Sequence, residues 1–142
     1  NERRKKSMAD RISAAMNGAA GKAIAILGLT FKPKTDDMRD APSLDIVPAL
    51  QAAGARIRAF DPEGMHEAQK LLSVIAMADN AYAAAEGADA LVILTEWDQF
   101  RALDFAQLKS VMRSPIVIDL RNVYDPAEVR RHGFAYTSIG RS

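Results

Sequence analysis

The chain has 142 residues, of which 49% are hydrophobic and 26% charged, and it contains no cysteine. This length allows one globular domain with one core, and the lack of cysteine excludes disulfides, thiolate metal ligands and cysteine nucleophiles within the chain. The formal net charge of +1 gives no bulk attraction to nucleic acid, and no apolar run approaches the roughly 18–20 residues of a membrane span, so we predict a soluble cytoplasmic protein that binds neither nucleic acid nor membrane.

A short amphipathic helix is predicted at the start of the chain. Its apolar positions recur at four-residue spacing after a basic run, at Met8, Ile12 and Met16. The basic run, residues 3–6, is interpreted as a solvated helix face, with an anion-binding patch as the alternative. Because the sequence opens on Asn1 inside this charged helical pattern, we expect the chain to be a piece of a longer protein.

Apolar runs then alternate with helical patterns. We predict strands at residues 23–28, 56–60, 74–77, 90–94, 116–118 and 134–139, and helices at 43–53, 63–72, 79–87, 105–112 and 126–131. Ser43 and Asp79 are the predicted N-caps of two of these helices, and Pro48 predicts a local kink. The pattern predicts an α/β fold: a doubly wound, mostly parallel, Rossmann-like sheet with helices on both faces.

The connection at residues 29–42 is long and charged. Strand-to-helix connections normally take about 2–6 residues, and longer ones are usually functional or disordered. This one follows a buried strand, at the sheet edge where open α/β folds bind their ligands. We therefore predict that it is a functional ligand-binding loop.

Several polar segments follow the predicted strands and should meet at the same edge of the sheet. They are the 29–42 loop, Asp61, Thr95-Glu96-Trp97 and Asp119-Leu120-Arg121. The cations at this edge would be Lys32, Lys34, Arg39 and Arg121. Such a cluster favours an anionic ligand such as phosphate, because arginine offers a forked hydrogen bond and lysine a point charge. The Gly-x-Gly-x-x-Gly pattern is absent after the first strand, so a phosphate must be held mainly by side chains.

Several acidic and aromatic residues have competing interpretations. Asp36 and Asp37 suggest a metal or phosphoacceptor site, but they lie well beyond the strand end, so we interpret them as loop-ordering carboxylates and predict no metal site. Asp61 stands where dinucleotide folds place a ribose-binding acid, yet without the glycine motif turn capping is favoured. Glu96 and Trp97 could flank a ligand, but Trp97 is interpreted as anchoring its loop to the core. The two histidines, His66 and His132, are expected at the surface.

Four segments carry a resemblance to a known family: residues 28–42, Phe60-Asp61-Pro62, Thr95-Glu96-Trp97 and residues 119–122. Together they resemble the C-terminal UDP-binding domain of the UDP-glucose/GDP-mannose dehydrogenase family, and the Thr-Glu-Trp element is most similar to the UDP-glucose dehydrogenases within it. The resemblance covers the chain from about Gly21. It implies that residues 1–20 end a connecting helical region and that residues 21–142 form the UDP-binding domain.

The resemblance also implies a division of labour. In this family an N-terminal domain binds NAD, a central helix carries the dimer contacts, and a cysteine forms a thiohemiacetal while the sugar C6 alcohol is oxidised in two hydride transfers. It implies that Phe31, Lys32 and Arg121 contact the UDP-sugar and that Arg39 touches the NAD pyrophosphate. We therefore expect no catalytic residue in this chain, NAD bound mainly by an absent N-terminal domain, and a homo-oligomeric complete enzyme.

Two functions follow. In the first, the chain completes the active site of an NAD-dependent nucleotide-sugar dehydrogenase, with the absent N-terminal and central domains as partners, and is inactive alone. UDP-glucose is the expected substrate, and another nucleotide sugar is the alternative. In the second, the chain is a free-standing nucleotide-binding or regulatory module. The first helix, which lacks a beginning, favours the first function.

Overall fold

The structure is a computed structural model that describes residues 2–30, 41, 43–72 and 75–138, with side chains from residue 8 onward. Its elements in chain order are α1 (Glu2–Ala15), β1 (Ala23–Leu27), α2 (Ser43–Ala52), β2 (Arg56–Phe60), α3 (Met65–Leu71), β3 (Ala76–Met77), α4 (Ala81–Ala85), β4 (Ala90–Ile93), α5 (Asp98–Arg101), α6 (Phe105–Val111), β5 (Ile116–Asp119), α7 (Pro126–Arg131) and β6 (Ala135–Ser138).

The strands form one sheet in the order β3-β2-β1-β4-β5-β6, and every pairing is parallel. This confirms the predicted doubly wound α/β fold. The register pairs Leu27 with Phe60 on one side and with Ile93 on the other, and Ile93 with Asp119. The last residues of four strands therefore lie side by side. The strand order changes direction between β1 and β4, which is where such sheets bind ligands.

Two apolar clusters cover the two faces of the sheet, as expected for parallel strands that are buried on both sides. On one face, Ile24 and Ile26 of β1 and Val92 of β4 pack with residues of α2. On the other, Leu27 and Leu91 pack with the alanines of α4 and with Leu108 of α6. These two layers confirm the prediction of helices on both faces.

The amphipathic first helix packs on this domain. Ile12 and Met16 are fully buried in the same cluster as Ile46 and Leu50 of α2. The side chain of Lys22 donates a 2.7 Å hydrogen bond to the carbonyl oxygen of Met16, just after the end of α1. The predicted apolar stripe is confirmed, while the division of the chain near residue 20 stays a prediction.

Two predicted helix caps are wrong. The alanine-rich helix is capped by Asn80, not Asp79, and the Asn80 side chain accepts a 2.8 Å hydrogen bond from the amide of Ala83. Ser43 is the first residue of α2, and its hydroxyl donates to the carbonyl oxygen of Leu29 at 2.6 Å. That bond ties α2 to the end of β1, which a local capping rule does not anticipate. The short α5 helix was not predicted.

Candidate functional site

Asp61 organises the edge of the sheet where β1 and β2 end. Its side chain is fully buried, and Oδ2 accepts hydrogen bonds from the amides of Leu29 (2.7 Å) and Thr30 (3.2 Å) and from the Thr30 hydroxyl (3.3 Å). Oδ1 accepts from the amides of Glu63 (2.9 Å) and Gly64 (2.7 Å). The predicted turn-capping role is confirmed. The same carboxylate also fixes the backbone that leads into residues 31–40.

Thr95 closes the switch point between β1 and β4. A Cβ placed on Gly28, whose φ is +93°, would lie 2.5 Å from the Cβ and 2.6 Å from the Oγ1 of Thr95. The Thr95 hydroxyl donates to the carbonyl oxygen of Thr30 at 2.8 Å. Glycine is therefore required at position 28 because the ends of β1 and β4 approach each other closely there. The group that lies against Gly28 is the side chain of Thr95.

Asp119 plays a comparable part at the end of β5. Its Oδ1 accepts from the amide of Arg121 at 3.0 Å, and its Oδ2 accepts from the amide of Tyr124 at 3.0 Å and from the hydroxyl of Tyr136 at 2.8 Å. Burial, with the nearby Asp119 carboxylate as a second cause, raises the pKa of the Tyr124 phenol well above its usual range.

Asn122 has a φ of +56°, and its side chain accepts a hydrogen bond from the hydroxyl of Ser138. The turn after β5 is thus fixed on several sides.

Arg121 meets Glu96 across the ends of β5 and β4. The Arg121 Nε donates to Oε2 of Glu96 at 3.0 Å and its Nη2 donates to Oε1 at 2.9 Å, a forked ion pair. The two side chains are 37% and 29% exposed, respectively. The pair is therefore close to solvent, and it places a guanidinium at the edge of the sheet that carries Asp61 and Thr95.

The structure brings together those predicted residues that it describes at this edge: Asp61, Thr95, Glu96 and Arg121. Phe31, Lys32 and Arg39, with Lys34, Asp36 and Asp37, lie outside the described residues, so their roles stay predictions. Trp97 is 7% exposed and packs in the second core cluster, which confirms its interpretation as a loop anchor. His66 and His132 are exposed, as predicted.

Sequence reasoning missed the partners of these residues. It did not find the pairing of Glu96 with Arg121, the contact of Thr95 with Gly28, or the two tyrosines on Asp119. A polar residue directly after a buried strand was a usable signal for location. It carried no information on which strand end would supply the partner.

The clefts of the described part of the structure lie away from this edge of the sheet. Two clefts of about 280 and 500 Å³ open at the amino ends of the strands, and both are lined by Arg56, Ile57 and Ala76. Neither contains a residue of the edge described above. Within the described part of the chain, no three His, Asp or Glu side chains are grouped to hold a metal, and no helix is both long and apolar enough to cross a bilayer.

Comparisons with curated proteins extend over nearly the whole chain. It is 56% identical to UDP-glucose 6-dehydrogenase of Rhizobium meliloti (strain 1021), covering 99% of this chain and 32% of that protein. It is 38% identical to UDP-glucose 6-dehydrogenase TuaD of Bacillus subtilis (strain 168), covering 99% of this chain and 31% of that protein. The chain thus spans about a third of the length of the curated relatives it matches.

Solved structures give the same fold. A UDP-D-ManNAc dehydrogenase from Pyrococcus horikoshii superposes with a TM-score of 0.77 at 30% identity, over 96% of this chain and 31% of that one. A UDP-glucose dehydrogenase from Pyrobaculum islandicum has a TM-score of 0.79 at 24% identity, over 99% and 30%, and at that identity it supports the fold alone.

A family model matches residues 25–126, and its description is UDP-glucose/GDP-mannose dehydrogenase family, UDP binding domain. The matched stretch holds the ends of β1, β2, β4 and β5 and therefore Asp61, Thr95, Glu96 and Arg121. It accounts for most of the chain and confirms the resemblance seen in the sequence. The chain belongs to the UDP-glucose/GDP-mannose dehydrogenase family, of which it is a UDP binding domain.

Proposed function

We propose that this chain binds the UDP-sugar for an NAD-dependent UDP-glucose 6-dehydrogenase, which oxidises UDP-glucose to UDP-glucuronate in two hydride transfers. The observation that carries the proposal is the position of Arg121, whose guanidinium is held at the carboxyl edge of the sheet inside the matched UDP binding domain. A diphosphate suits a guanidinium because two hydrogen bonds and an ion pair form together. The 56% identity to a UDP-glucose 6-dehydrogenase supports glucose as the sugar.

The proposed substrate contacts from this chain are Phe31, Lys32 and Arg121. Lys32 adds a second positive charge for the diphosphate, and Phe31 adds an apolar surface. Support comes from the backbone at Leu29 and Thr30, directly before these two residues, which Asp61 holds at the sheet edge that carries Arg121.

NAD does not fit the switch point of this sheet. In a dinucleotide motif the second glycine lets the backbone approach the pyrophosphate, and here that position is Thr30, whose side chain and carbonyl oxygen are bonded to Asp61 and Thr95. Asp61, at the position of a ribose-binding acid, is fully buried, and both of its oxygens already accept protein hydrogen bonds. We therefore propose that NAD is held mainly by an N-terminal domain outside this chain, with Arg39 as a contact to its pyrophosphate.

The partners follow from the same proposal. They are the N-terminal and central domains of the longer enzyme, which we propose to be a homo-oligomer. The cytoplasmic location expected from the sequence stays a prediction. A dehydrogenase of the same family with another sugar is the second candidate, because the Pyrococcus horikoshii UDP-D-ManNAc dehydrogenase shares the fold at 30% identity.

Titration of UDP into the 142-residue chain, followed by NMR so that millimolar affinities are visible, tests the proposal. Lys32→Ala and Arg121→Ala should each weaken binding by about 10–100-fold, the effect of losing a hydrogen bond to a charged group. Arg113→Ala is the matched control, because Arg113 is a 73%-exposed arginine three residues before β5, at the opposite edge of the sheet. Unchanged affinity in both test variants would refute the proposed crevice.

Activity assays test the division of labour. The 142-residue chain contains no cysteine, so with NAD and UDP-glucose we expect no NADH formation from the chain alone. Turnover by the purified chain would contradict the proposal. Competition of UDP-glucose and UDP-N-acetylmannosamine with UDP then compares the two candidate sugars on the same protein.

A further inference from the structure

The ion pair between Arg121 and Glu96 uses only part of the guanidinium. An arginine carries five N–H donors. Glu96 accepts from the Nε donor and from Nη2, and Nη2 is also 2.9 Å from Oε2. The two donors on Nη1 and the second on Nη2 have no partner among the residues that the structure describes. One edge of the guanidinium is thus fixed to Glu96, while the other keeps its hydrogen-bonding capacity.

Both ends of this pair are attached to rigid backbone. The amide of Arg121 donates to the buried Asp119 at 3.0 Å. Glu96 lies between Thr95, whose hydroxyl is bonded to the carbonyl oxygen of Thr30, and Trp97, which is buried in the core. The Glu96 carboxylate is therefore carried by a fixed turn, and it can hold the longer and more flexible arginine side chain in one place.

We propose that Glu96 is a positioning residue for Arg121. Its carboxylate holds the guanidinium so that the Nη1 edge is ready to receive the diphosphate of a nucleotide sugar. The inference rests on the proposed function, in which Arg121 contacts that diphosphate. Binding of a ligand normally has to immobilise a rotamer-rich side chain, and here the protein has done so before the ligand arrives.

The same pair admits an opposite effect, in which Glu96 competes with the diphosphate for Arg121. The two effects differ in sign, since removing a competitor strengthens UDP binding and removing a positioning group weakens it. The geometry favours positioning, because the forked contact leaves the Nη1 edge available. Direct repulsion of the diphosphate by Glu96 is weakened by solvent, as both side chains are partly exposed.

The first experiment measures the UDP affinity of the 142-residue chain with Glu96→Gln and Glu96→Ala. Each should bind UDP about 2–12-fold more weakly than the wild type, which is the effect expected from freeing one long side chain. Glu86→Gln is the matched control, because Glu86 is exposed just after α4, at the opposite edge of the sheet. The Glu86→Gln protein should bind UDP with the affinity of the wild type. Unchanged or tighter binding by both Glu96 variants would overturn the inference.

A second experiment separates positioning from a general structural effect. In an Arg121→Lys background the forked pair cannot form, so Glu96→Gln should then weaken UDP binding by a clearly smaller factor than it does in the wild-type background. An equal loss in both backgrounds would show that Glu96 acts without Arg121 and would overturn the inference. The Nε–H resonance of Arg121 should be sharp and slowly exchanging in the wild type and lose both properties in Glu96→Gln, and an unchanged resonance would also overturn it.

These measurements distinguish the inference from the proposed function on which it rests. If the wild type does not bind UDP at millimolar concentrations, both fail together. If the wild type binds and Arg121→Ala does not, while both Glu96 variants bind like the wild type, the proposed function stands and the inference alone is overturned.

Discussion

The hydroxyl of Thr95 lies 2.8 Å from the carbonyl oxygen of Thr30 and donates a hydrogen bond to it. These residues are 65 positions apart, and each lies two or three residues after the end of a central strand. The bond joins the two strand ends at the point where the sheet changes direction. It also fixes the backbone of Thr30, directly before residue 31.

Gly28 should be intolerant of any side chain because of this junction. We expect Gly28→Ala to lower the free energy of unfolding by about 2–5 kcal/mol. This loss is the sum of the cost of a left-handed backbone at alanine and the cost of the steric clash between the new Cβ and Thr95. Gly18→Ala is the matched control, since Gly18 has a φ of +95° but no atom within 4 Å of its added Cβ, and it should lose only about 1–2 kcal/mol. Equal losses in urea unfolding would refute the clash.

Asp61 should be more costly to remove than an ordinary cap. Asp61→Ala leaves four buried or half-buried backbone amides without their acceptor, so we expect a loss of about 3–5 kcal/mol in the free energy of unfolding. Asp104→Ala removes an exposed N-cap that accepts hydrogen bonds from two backbone amides. This variant should lose about 1 kcal/mol in the free energy of unfolding. Similar losses for the two variants, measured by urea unfolding, would show that Asp61 acts only as a turn cap.

The fold was predictable from the sequence because its strands are short, apolar and regularly separated by helical patterns. β1 and β4 are buried on both faces and read as continuous apolar runs, and parallel order follows from the alternation. The errors are local. The predicted N-cap of α4 was Asp79, whereas the observed N-cap is the adjacent Asn80. The helix Asp98–Arg101 was missed because four residues are too few to show a helical periodicity.

The site was predictable in location but not in its contacts. A polar residue after a buried strand places Asp61, Thr95 and Arg121 at one edge, because parallel strands end on the same side. The partners depend on register, which sets Leu27 beside both Phe60 and Ile93. The pairing of Glu96 with Arg121 joins residues 25 positions apart, and no local pattern encodes it.

Glu67 and Lys70 give a prediction for acidic solution. The Lys70 ammonium lies 2.8 Å from the Glu67 carboxylate, and its hydrogen bond and charge lower the pKa of Glu67 from its usual value. A carboxyl group whose pKa is lower in the folded than in the unfolded protein stabilises the fold at pH values above its unfolded pKa. This stabilisation is lost as the pH falls through its folded pKa. In an NMR titration, Lys70→Ala should raise the pKa of Glu67, while His66→Ala should raise it less, because His66 is the weaker cause. A larger effect of His66→Ala would contradict this order.

Tyr124 gives the opposite prediction, for alkaline solution. Burial and the Asp119 carboxylate raise the pKa of this phenol, and its hydroxyl donates to the carbonyl oxygen of Phe100 at 2.5 Å. The unfolded phenol ionises near pH 10, so the unfolded state loses its proton first and stability falls as the pH rises above about 10, by up to about 1.4 kcal/mol per pH unit. Tyr124→Phe should lose about 1 kcal/mol at neutral pH, for the missing hydrogen bond, and show a shallower alkaline decline. Urea unfolding of both proteins between pH 8 and about 11 measures the two slopes, and parallel slopes would place the alkaline decline on another group.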